Sequence, residues 1–504
     1  MLNGADPGET ATDVLAGAAS RVPEESRPAR RLEPWQWAIV LAAALAFGAK
    51  IVLALETYGT NDVYSFEQLL EWWRYLGADL FRMAPGANNP PSMLYVLAFL
   101  RWLAQATGMA FSFWFHVPAI LADTGSLWLV WRILAPRMGE RSIRWALILM
   151  AAAPASVLIS GFHGQNDSVM IFFLLLAAYL VEKGRTVAGG AAFGLSLCIK
   201  VAPVIAVPAL VFYQFGRRKW IAFLAAAGGV LLVAWSPFIF HDPHAVIRDV
   251  FGYKSGLGHW GLSYLTYRLS LISPVGTMLC TLVEKFGSPV LLLAIAALSW
   301  WMNHSAKRPS LYSQIGLVFF VFLAGTSGFG VQYLAWLVPW AVGLGAAPAA
   351  LYCASSGAFL FLVYDYWSQG MPWYLADSIR VGDYYYAGLD YFQLLCWLSV
   401  VALAWTSWKQ MRGAAREPVA PMTPARRRLA PALATLLLAV PMAGWLVSRH
   451  AAWPSGTLRG PAALSAARRW YLEDLSSHLR RIGRVEASAE VASRARSAGL
   501  VGMR

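Results

Sequence analysis

The polar stretch GFHGQNDS, residues 161–168, lies between two hydrophobic runs at residues 145–160 and 169–181. Several hydrogen-bonding side chains in a row, one of them an acid, are costly beside a bilayer core unless they face a water-filled cavity or a polar ligand. Two more polar islands occur, at residues 60–62 after the first hydrophobic run and at residues 258–261. The sequence therefore predicts a multispanning membrane protein with a polar site at one face.

Composition supports this class. The chain has 504 residues, of which 58% are hydrophobic and 13% are charged, whereas soluble globular proteins carry about 25% charged residues. Long apolar runs recur along nearly the whole chain, so we predict an all-α integral membrane protein. The net charge of +14 does not indicate a nucleic-acid partner, because Lys and Arg lie mostly in short connectors and the C-terminal tail, as the positive-inside rule explains.

Three regions follow from the composition along the chain. Residues 1–33 are polar and rich in Pro, Gly and Ala, which predicts a disordered cytoplasmic tail. Residues 34–447 form the predicted membrane domain, whose first run acts as an uncleaved anchor. Residues 448–504 form an Arg-rich amphipathic tail, predicted to lie at the membrane interface. Counting spans from the last basic connector places this tail on the external side of the membrane. Its side stays open, because the run 430–447 is not certain to span.

Clusters of basic residues mark the cytoplasmic connectors. These clusters are Arg132 to Arg144, Lys183 with Arg185, Arg217-Arg218-Lys219, Lys307-Arg308, and a last group from Lys409 to Arg428. The run 91–104 is short for a span, and counting it as one would place the cluster from Arg132 to Arg144 outside the cell. We therefore assign this run to a long first external loop, residues 56–111, that carries juxtamembrane helices. The run 262–283 is treated in the same way, which leaves roughly 13 spans; the alternative is that both runs span.

Asp62 is the candidate catalytic residue. It follows the first span directly, where an interfacial carboxylate can act as a general base on an acceptor hydroxyl. The alternative is that Asn61 or Asp62 caps the amphipathic helix that follows, since both residue types are favoured caps.

Further polar residues converge on the same predicted external face. The candidate substrate-binding residues are His163, Gln165, Asn166, Asp167, Lys200, His259, Trp260, Gln332 and Tyr333. Some of them have a structural alternative: Asn166 or Asp167 as a helix cap, which leaves His163 and Gln165 unexplained, Lys200 as a snorkelling residue, and His259-Trp260 as a solvated His beside an interfacial aromatic. The four cysteines are widely spaced, and no metal-ligand spacing is visible, so neither a metal nor a cofactor is expected.

Five short motifs follow one another along the chain. They are Asp62, the Asn89-Pro90-Pro91 turn, Gly164-Gln165-Asn166-Asp167, Lys200 with Pro203, and Gln332-Tyr333 with Trp336. Over about residues 35–405 this order resembles the GT-C superfamily of membrane glycosyltransferases, and most closely the bacterial polyprenyl-phosphate-mannose-dependent mannosyltransferases. More distantly, it resembles the mannosyltransferase of GPI-anchor assembly and the endoplasmic-reticulum glucosyltransferases of N-glycan assembly. The family usually has Tyr where Asn89 precedes the Pro-Pro pair.

The resemblance implies an inverting transfer of a sugar, by default mannose, from a polyprenyl-phosphate donor to a lipid-linked or glycan acceptor. Asp62 would take the proton of the acceptor hydroxyl. Lys200, with His259 as a second candidate, would stabilise the leaving phosphate, and Gln165, Asn166 and Asp167 would bind sugar hydroxyls or hold the loop. The Ala- and Arg-rich composition suggests a bacterial inner membrane, with the site facing the periplasm or the cell exterior.

Two other functions remain open at this point. A transporter or flippase of a lipid-linked glycan also carries ionisable residues in the membrane, often with inverted repeats, but no repeat is detectable here and the islands lie at span ends. A polysaccharide polymerase or ligase is the third possibility. The longest external loop predicted here is acidic, rather than rich in Arg and His.

Overall fold

The structure is a computed structural model that describes residues 33–84, 87–252, 256–305, 308–413 and 460–501. The predicted N-terminal tail, apart from Glu33, and the uncertain run 430–447 lie outside these residues. All statements below on numbers of elements refer to the described ranges.

The chain folds almost entirely into α-helices. The first half contains α1 (Pro34–Glu56), α2 (Asn61–Leu76), α3 (Leu80–Met83), α4 (Ser92–Thr107), α5 (Phe111–Leu134), α6 (Glu140–Ala151), α7 (Pro154–Leu158), α8 (Asp167–Glu182), α9 (Thr186–Ile199), α10 (Val207–Gln214) and α11 (Lys219–Ile239). The second half contains α12 (Pro243–Phe251), α13 (Gly261–Ser270), α14 (Pro274–His304), α15 (Leu311–Gly325), α16 (Leu334–Ala341), α17 (Ala346–Trp367), α18 (Ser378–Val381), α19 (Asp390–Gly413), α20 (Gly460–Arg481) and α21 (Val485–Val501). Two short strands, β1 (Gly59–Thr60) and β2 (Leu375–Ala376), pair in parallel.

Within the described ranges, seven helical segments are long and apolar enough to cross a membrane. They are Pro34–Glu56, Phe111–Leu134, Glu140–His163, Lys219–Ile239, Pro274–His304, Ala346–Trp367 and Asp390–Gly413, and four shorter apolar segments accompany them. The predicted fold class, an all-α integral membrane protein with further helices after the first span, is confirmed. The number of about 13 spans stays a prediction.

The two segments assigned to external loops behave differently from each other. Helix α4 has 16 residues, fewer than the roughly 20 that a span needs. The run 262–283 is divided at residues 271–273, because Ser273 caps a new helix and Pro274 takes its first position. The second part of this run therefore belongs to the long α14 rather than to a separate loop helix.

The polar island at residues 161–168 begins in a widened helical turn. Residues Ile159–His163 form a π-helix, a rare conformation that is frequent at functional sites. Gly164 ends it with a φ of +74°, and a Cβ at this position would lie 2.3 Å from the Val63 side chain. A Cβ on Gly161 would lie 2.9 Å from the Cα of Lys50. Glycine thus allows the island to approach both α1 and the start of α2.

The chain leaves the helical conformation at Lys200. Helix α9 ends at Ile199, Lys200 adopts an extended conformation with φ −158° and ψ 143°, and a 3-10 turn over Ala202–Ala206 leads into α10. Pro203 cannot donate a backbone hydrogen bond to a continuing helix. Lys200 therefore lies at the junction between α9 and α10.

The C-terminal helices pack on the first loop. Leu475 and Leu479 of α20 are 1% and 0% exposed and belong to the same apolar cluster as Trp72 of α2. Two leucines of the tail's apolar face are therefore covered by protein, whereas Trp470 of the same helix is 55% exposed. The placement of the tail at the membrane interface stays a prediction. Arg468 adds a bidentate ion pair to Glu67, with N–O distances of 2.9–3.1 Å.

Reversing this ion pair tests the docking of the tail. We expect Arg468→Glu to place two carboxylates together, so that they repel each other. Hydrogen-exchange protection of residues 460–481 should then fall by about 10-fold, the size of effect expected when one partly exposed ion pair becomes repulsive. The double variant with Glu67→Arg should restore protection. Equal protection in wild type and Arg468→Glu would show that the apolar contacts alone hold the tail.

Candidate active site

The first turn of α2 is fixed from several directions. Thr60 is its N-cap, because its Oγ1 accepts a hydrogen bond from the Asp62 backbone N–H at 3.3 Å. The same hydroxyl donates to the carbonyl of His163 at 2.7 Å. Asn61 Oδ1 accepts from the backbone N–H and the hydroxyl of Ser378, at 3.2 and 3.0 Å. The alternative in which Asn61 or Asp62 caps this helix is therefore wrong, and the Asp62 side chain is available for another role.

Asp62 and His163 form the centre of the site. The Nε2 of His163 lies 3.0 Å from Oδ2 of Asp62, and its Nδ1 lies 2.7 Å from the hydroxyl oxygen of Tyr364. A carboxylate can only accept, so Nε2 carries a proton and donates it. In the neutral ring Nδ1 then accepts from Tyr364, which fixes the tautomer and the ring orientation. Tyr364 was not among the predicted site residues.

Gln165 completes the contacts of the carboxylate. Its side-chain amide also donates to Oδ2 of Asp62. Among the described residues, both side-chain hydrogen bonds of Asp62 reach Oδ2, so Oδ1 is the oxygen left to accept a proton. The Asp62 side chain is 29% exposed and lines a cavity of about 1140 Å³.

The cavity combines polar and apolar walls. Its polar side chains include Asp62, Gln68, Asn88, Asn89, Gln165, Lys200, Glu284, Lys285, Ser288, Thr326, Ser327 and Gln332. Its apolar side chains include Phe66, Leu69, Val204, Ile205, Phe251, Leu257, Pro289 and Phe322. Such a lining suits a ligand with a polar head and an apolar tail.

The electrostatic surroundings keep Asp62 ionised. Burial acts to raise the pKa of Asp62, but the hydrogen bonds from His163 and Gln165, together with the Lys200 charge, outweigh it and lower the pKa below the usual Asp range. Asp62 is therefore a carboxylate at neutral pH, which a proton acceptor requires.

Removing His163 should change the pH dependence of activity. We expect His163→Leu to raise the pKa of Asp62, since a stabilising hydrogen-bond donor is lost, and hence to move the acid limb of kcat/KM upward by about one pH unit. The pH profile of kcat/KM measures this shift. His241→Leu is the matched control, because His241 contacts Asp79 at 2.9 Å and neither residue lines the cavity. An unchanged acid limb in His163→Leu would contradict the assignment.

Asp167 and Lys200 form a second pair beside the first. Lys200 Nζ lies 3.0 and 3.1 Å from the two carboxylate oxygens of Asp167, and the indole N–H of Trp336 donates to the same carboxylate. Asp167 is 0% exposed, whereas Lys200 lines the cavity. The ammonium also stands 5.5 Å from the ring centre of Tyr333. Most of the Lys200 charge is therefore compensated within the protein.

The remaining candidate residues divide into two groups. Gln332 and Tyr333 line the cavity with Asp62. Asn166 precedes α8 but makes no side-chain cap bond, and within the described ranges its buried Nδ2 has no hydrogen-bond partner. It does not line the cavity.

His259 and Trp260 are not brought to the cavity surface. Trp260 is 0% exposed, stacks on Phe329 at 4.0 Å between ring centres and donates to the Leu323 carbonyl at 2.6 Å. Burial lowers the pKa of His259, against the attraction of the Asp383 carboxylate 3.8 Å away. The structure therefore does not support His259 as the cation at the leaving phosphate, because a residue outside the cavity with a lowered pKa is neutral. Trp260 packs in the core.

A charged pair in the membrane domain was not predicted from the sequence. Lys50 of α1 pairs with Asp123 of α5. Its Nζ also donates to the Ser156 hydroxyl at 2.8 Å, and Ser160 of the π-helix donates to the same carboxylate. Lys50 is visible in the sequence as the one charge inside the first apolar run, but nothing near it indicates a partner. No group of three or more His, Cys, Asp and Glu residues suited to a metal occurs among the described residues.

Comparison with known proteins decides the family. Residues 88–364 match the model of Glycosyltransferase family 87, which is more than half of the chain. The chain belongs to glycosyltransferase family 87. The prediction that the chain is a glycosyltransferase is thereby confirmed.

Two individual proteins are similar to this family 87 glycosyltransferase. Over 180 residues it is 27% identical to the dolichyl pyrophosphate Glc1Man9GlcNAc2 alpha-1,3-glucosyltransferase of Arabidopsis thaliana, a match that spans 32% of this chain and 35% of the relative. The crystal structure of ArnT from Cupriavidus metallidurans bound to undecaprenyl phosphate superposes with a TM-score of 0.43 at 14% identity, over 88% of this chain and 81% of ArnT.

Proposed function

We propose that the enzyme transfers a sugar, by default mannose, from a polyprenyl-phosphate donor to a lipid-linked or glycan acceptor, with Asp62 as the base. The observation that carries the proposal is the Asp62 carboxylate itself. His163 and Gln165 hold one of its oxygens and the other is left for a proton, at the edge of a cavity of about 1140 Å³.

The proposed reaction would use this arrangement in one displacement. The acceptor oxygen attacks the anomeric carbon from the face opposite the phosphate, and the bond between that carbon and the phosphate oxygen breaks. The phosphate keeps the electron pair, and the hydroxyl proton passes to Oδ1 of Asp62. A carboxylate of lowered pKa is a weak base, but the attacking oxygen becomes strongly acidic once its new bond forms. The anomeric configuration is inverted in a single displacement.

The polyprenyl donor is supported by three considerations. The cavity combines polar and apolar walls, as a lipid-linked sugar requires. The Arabidopsis relative is named for a dolichyl-pyrophosphate-linked glycan, which supports a lipid-linked substrate. A phosphate ester leaves without an acid at its oxygen, and no general acid is needed beside Asp62. We propose that the site opens to the external face, the periplasm of a bacterial inner membrane, because the basic connectors lie at the opposite ends of the spans.

A donor panel tests the proposal. Purified protein in liposomes is incubated with polyprenyl-phosphate mannose, glucose and other monosaccharides, each radiolabelled, and with a membrane lipid extract as the acceptor pool. We expect label to pass from one donor into a new product whose anomeric configuration, measured by NMR, is opposite to that of the donor. Retention of configuration would contradict the single displacement by an oxygen activated at Asp62.

A further inference from the structure

The cavity contains a lysine that the reaction described above does not use. Lys285 of α14 lines the same cavity as Asp62 and Lys200 and has an exposed side chain. Within the described ranges it makes no hydrogen bond and no ion pair. Lys200, by contrast, is held by both carboxylate oxygens of Asp167. Of the two cavity lysines, Lys285 is the one without an ion pair to any described residue.

Two serine hydroxyls line the same cavity as Lys285. Ser288 lies one helical turn further along α14, on the same face of the helix, and also lines the cavity. The cavity-lining segment with Thr326 and Ser327 approaches the helix closely, because the Ser327 Oγ lies 4.0 Å from the position of a Cβ on Gly287. An ammonium group with neighbouring hydroxyls is suited to a phosphate group, which accepts several hydrogen bonds.

The depth of Lys285 in the membrane matches the depth of a lipid headgroup. The segment of α14 from Lys285 to His304 is about 28 Å long at 1.5 Å per residue, close to the roughly 30 Å of a bilayer hydrocarbon core. His304 lies near the basic connector that contains Arg308, which is predicted to be cytoplasmic. Lys285 therefore lies near the opposite interface, at the level of phosphate groups.

The outer surface of α14 provides a path for an apolar chain. On the membrane side of Lys285, its exposed apolar side chains include Phe286, Val290 and Leu293. In a helix that crosses the membrane such a surface faces lipid. The helix that carries Lys285 thus separates the polar cavity from the bilayer, and a polyprenyl chain beside it stays in lipid while its phosphate reaches the cavity.

We propose that Lys285 binds the phosphate of the polyprenyl donor and of the polyprenyl phosphate product, with Ser288 and Ser327 as hydrogen-bond donors. This inference rests on the proposed function and names the phosphate-binding group of that site. Glu284, the neighbouring residue, also lines the cavity and points about 100° away around the helix. The negative charge of Glu284 opposes phosphate binding. Removing it should therefore change the affinity in the opposite direction to removing the charge of Lys285.

Direct binding tests the inference without knowledge of the sugar. The binding of polyprenyl phosphate and of the uncharged polyprenol of equal length to the purified protein is measured. We expect Lys285→Gln to raise the Kd for polyprenyl phosphate by about 10- to 100-fold, the effect of one lost charge-assisted hydrogen bond, and to leave polyprenol binding unchanged. Lys285→Arg should restore binding, and Glu284→Gln should lower the Kd.

Matched controls separate phosphate binding from folding. Lys183→Gln makes the same charge change at the end of α8, outside the cavity, and should not alter the Kd; thermal unfolding checks that Lys285→Gln stays folded. An unchanged Kd in Lys285→Gln, or a higher Kd in both Lys285→Gln and Glu284→Gln, would overturn the inference. Equal displacement by phosphatidylglycerol would overturn it as well, because Lys285 would then bind ordinary lipid headgroups.

The binding and transfer assays have separable outcomes. Binding of polyprenyl phosphate that depends on Lys285, without any sugar transfer, would support the inference and contradict the proposed reaction. Sugar transfer that is unaffected by Lys285→Gln would support the reaction and overturn the inference.

Discussion

Replacing Asp62 by Asn is expected to lower kcat for sugar transfer by about 10³-fold, within the usual range for removal of a general base. The amide has nearly the shape of the carboxylate, so the substituted side chain still fits between His163 and Gln165. It carries no charge and does not take the proton of the acceptor hydroxyl. Because the donor phosphate does not contact Asp62 in this account, the KM for the donor should change by much less than kcat.

A neighbouring carboxylate provides the control for this prediction. Asp79 lies in the same loop region, contacts Arg82 and His241, and does not line the cavity. Asp79→Asn should therefore transfer sugar at the wild-type rate. Initial rates with saturating donor, together with size-exclusion profiles of each variant, measure the effect. A folded Asp62→Asn protein with more than a tenth of the wild-type kcat would contradict the role of Asp62 as the base.

Removal of Asp123 is expected to have the largest effect on stability. The Lys50 and Asp123 side chains are 6% and 17% exposed and lie in helices that cross the membrane. Taking away one partner of a buried ion pair leaves an uncompensated charge, which costs about 3–5 kcal/mol. We therefore expect Asp123→Leu to lower the free energy of unfolding by about this amount. Unfolding in detergent, followed by a conformational probe, measures it.

The double variant distinguishes charge from packing. Lys50→Met together with Asp123→Leu removes both charges and keeps similar volumes, so its stability should return to near the wild-type value, as buried ion pairs replaced by apolar residues commonly behave. A double variant as unstable as Asp123→Leu would show that the loss comes from packing. Ser160 contacts Asp123 one helical turn before His163, so the single variant should also reduce activity.

The arrangement of Asp62 with the island at residues 161–168 was predictable from the sequence in outline. Polar residues beside apolar runs are costly unless they share a polar site. The positions of the basic connectors also placed Asp62, His163 and Gln165 on the same face of the membrane domain. The partner of His163 was not predictable, because Tyr364 lies 201 residues away in the chain and nothing in its local sequence distinguishes it from an interfacial anchor.

Other structural features that the sequence did not reveal have specific physical causes. The amphipathic spacing of α20 is equally typical of a helix on a bilayer and of a helix on protein, and only the docked structure shows that Leu475 and Leu479 pack against the loop. His259 lies in a polar island, but its neighbour Trp260 turns inward to donate to the Leu323 carbonyl. Lys285 follows the run 262–283, which the sequence assigns to a loop, and its position on the cavity wall depends on the continuation of α14 through Pro289.

The measurement that tests the central claim most directly compares two classes of donor on one sample. Wild-type protein and Asp62→Asn in liposomes receive the same labelled sugar, once linked to polyprenyl phosphate and once as a nucleotide sugar, with the same acceptor extract. The account predicts transfer by the wild type from the polyprenyl-linked sugar alone, and its loss in Asp62→Asn. Transfer from the nucleotide sugar, or equal transfer by the two proteins, would contradict it.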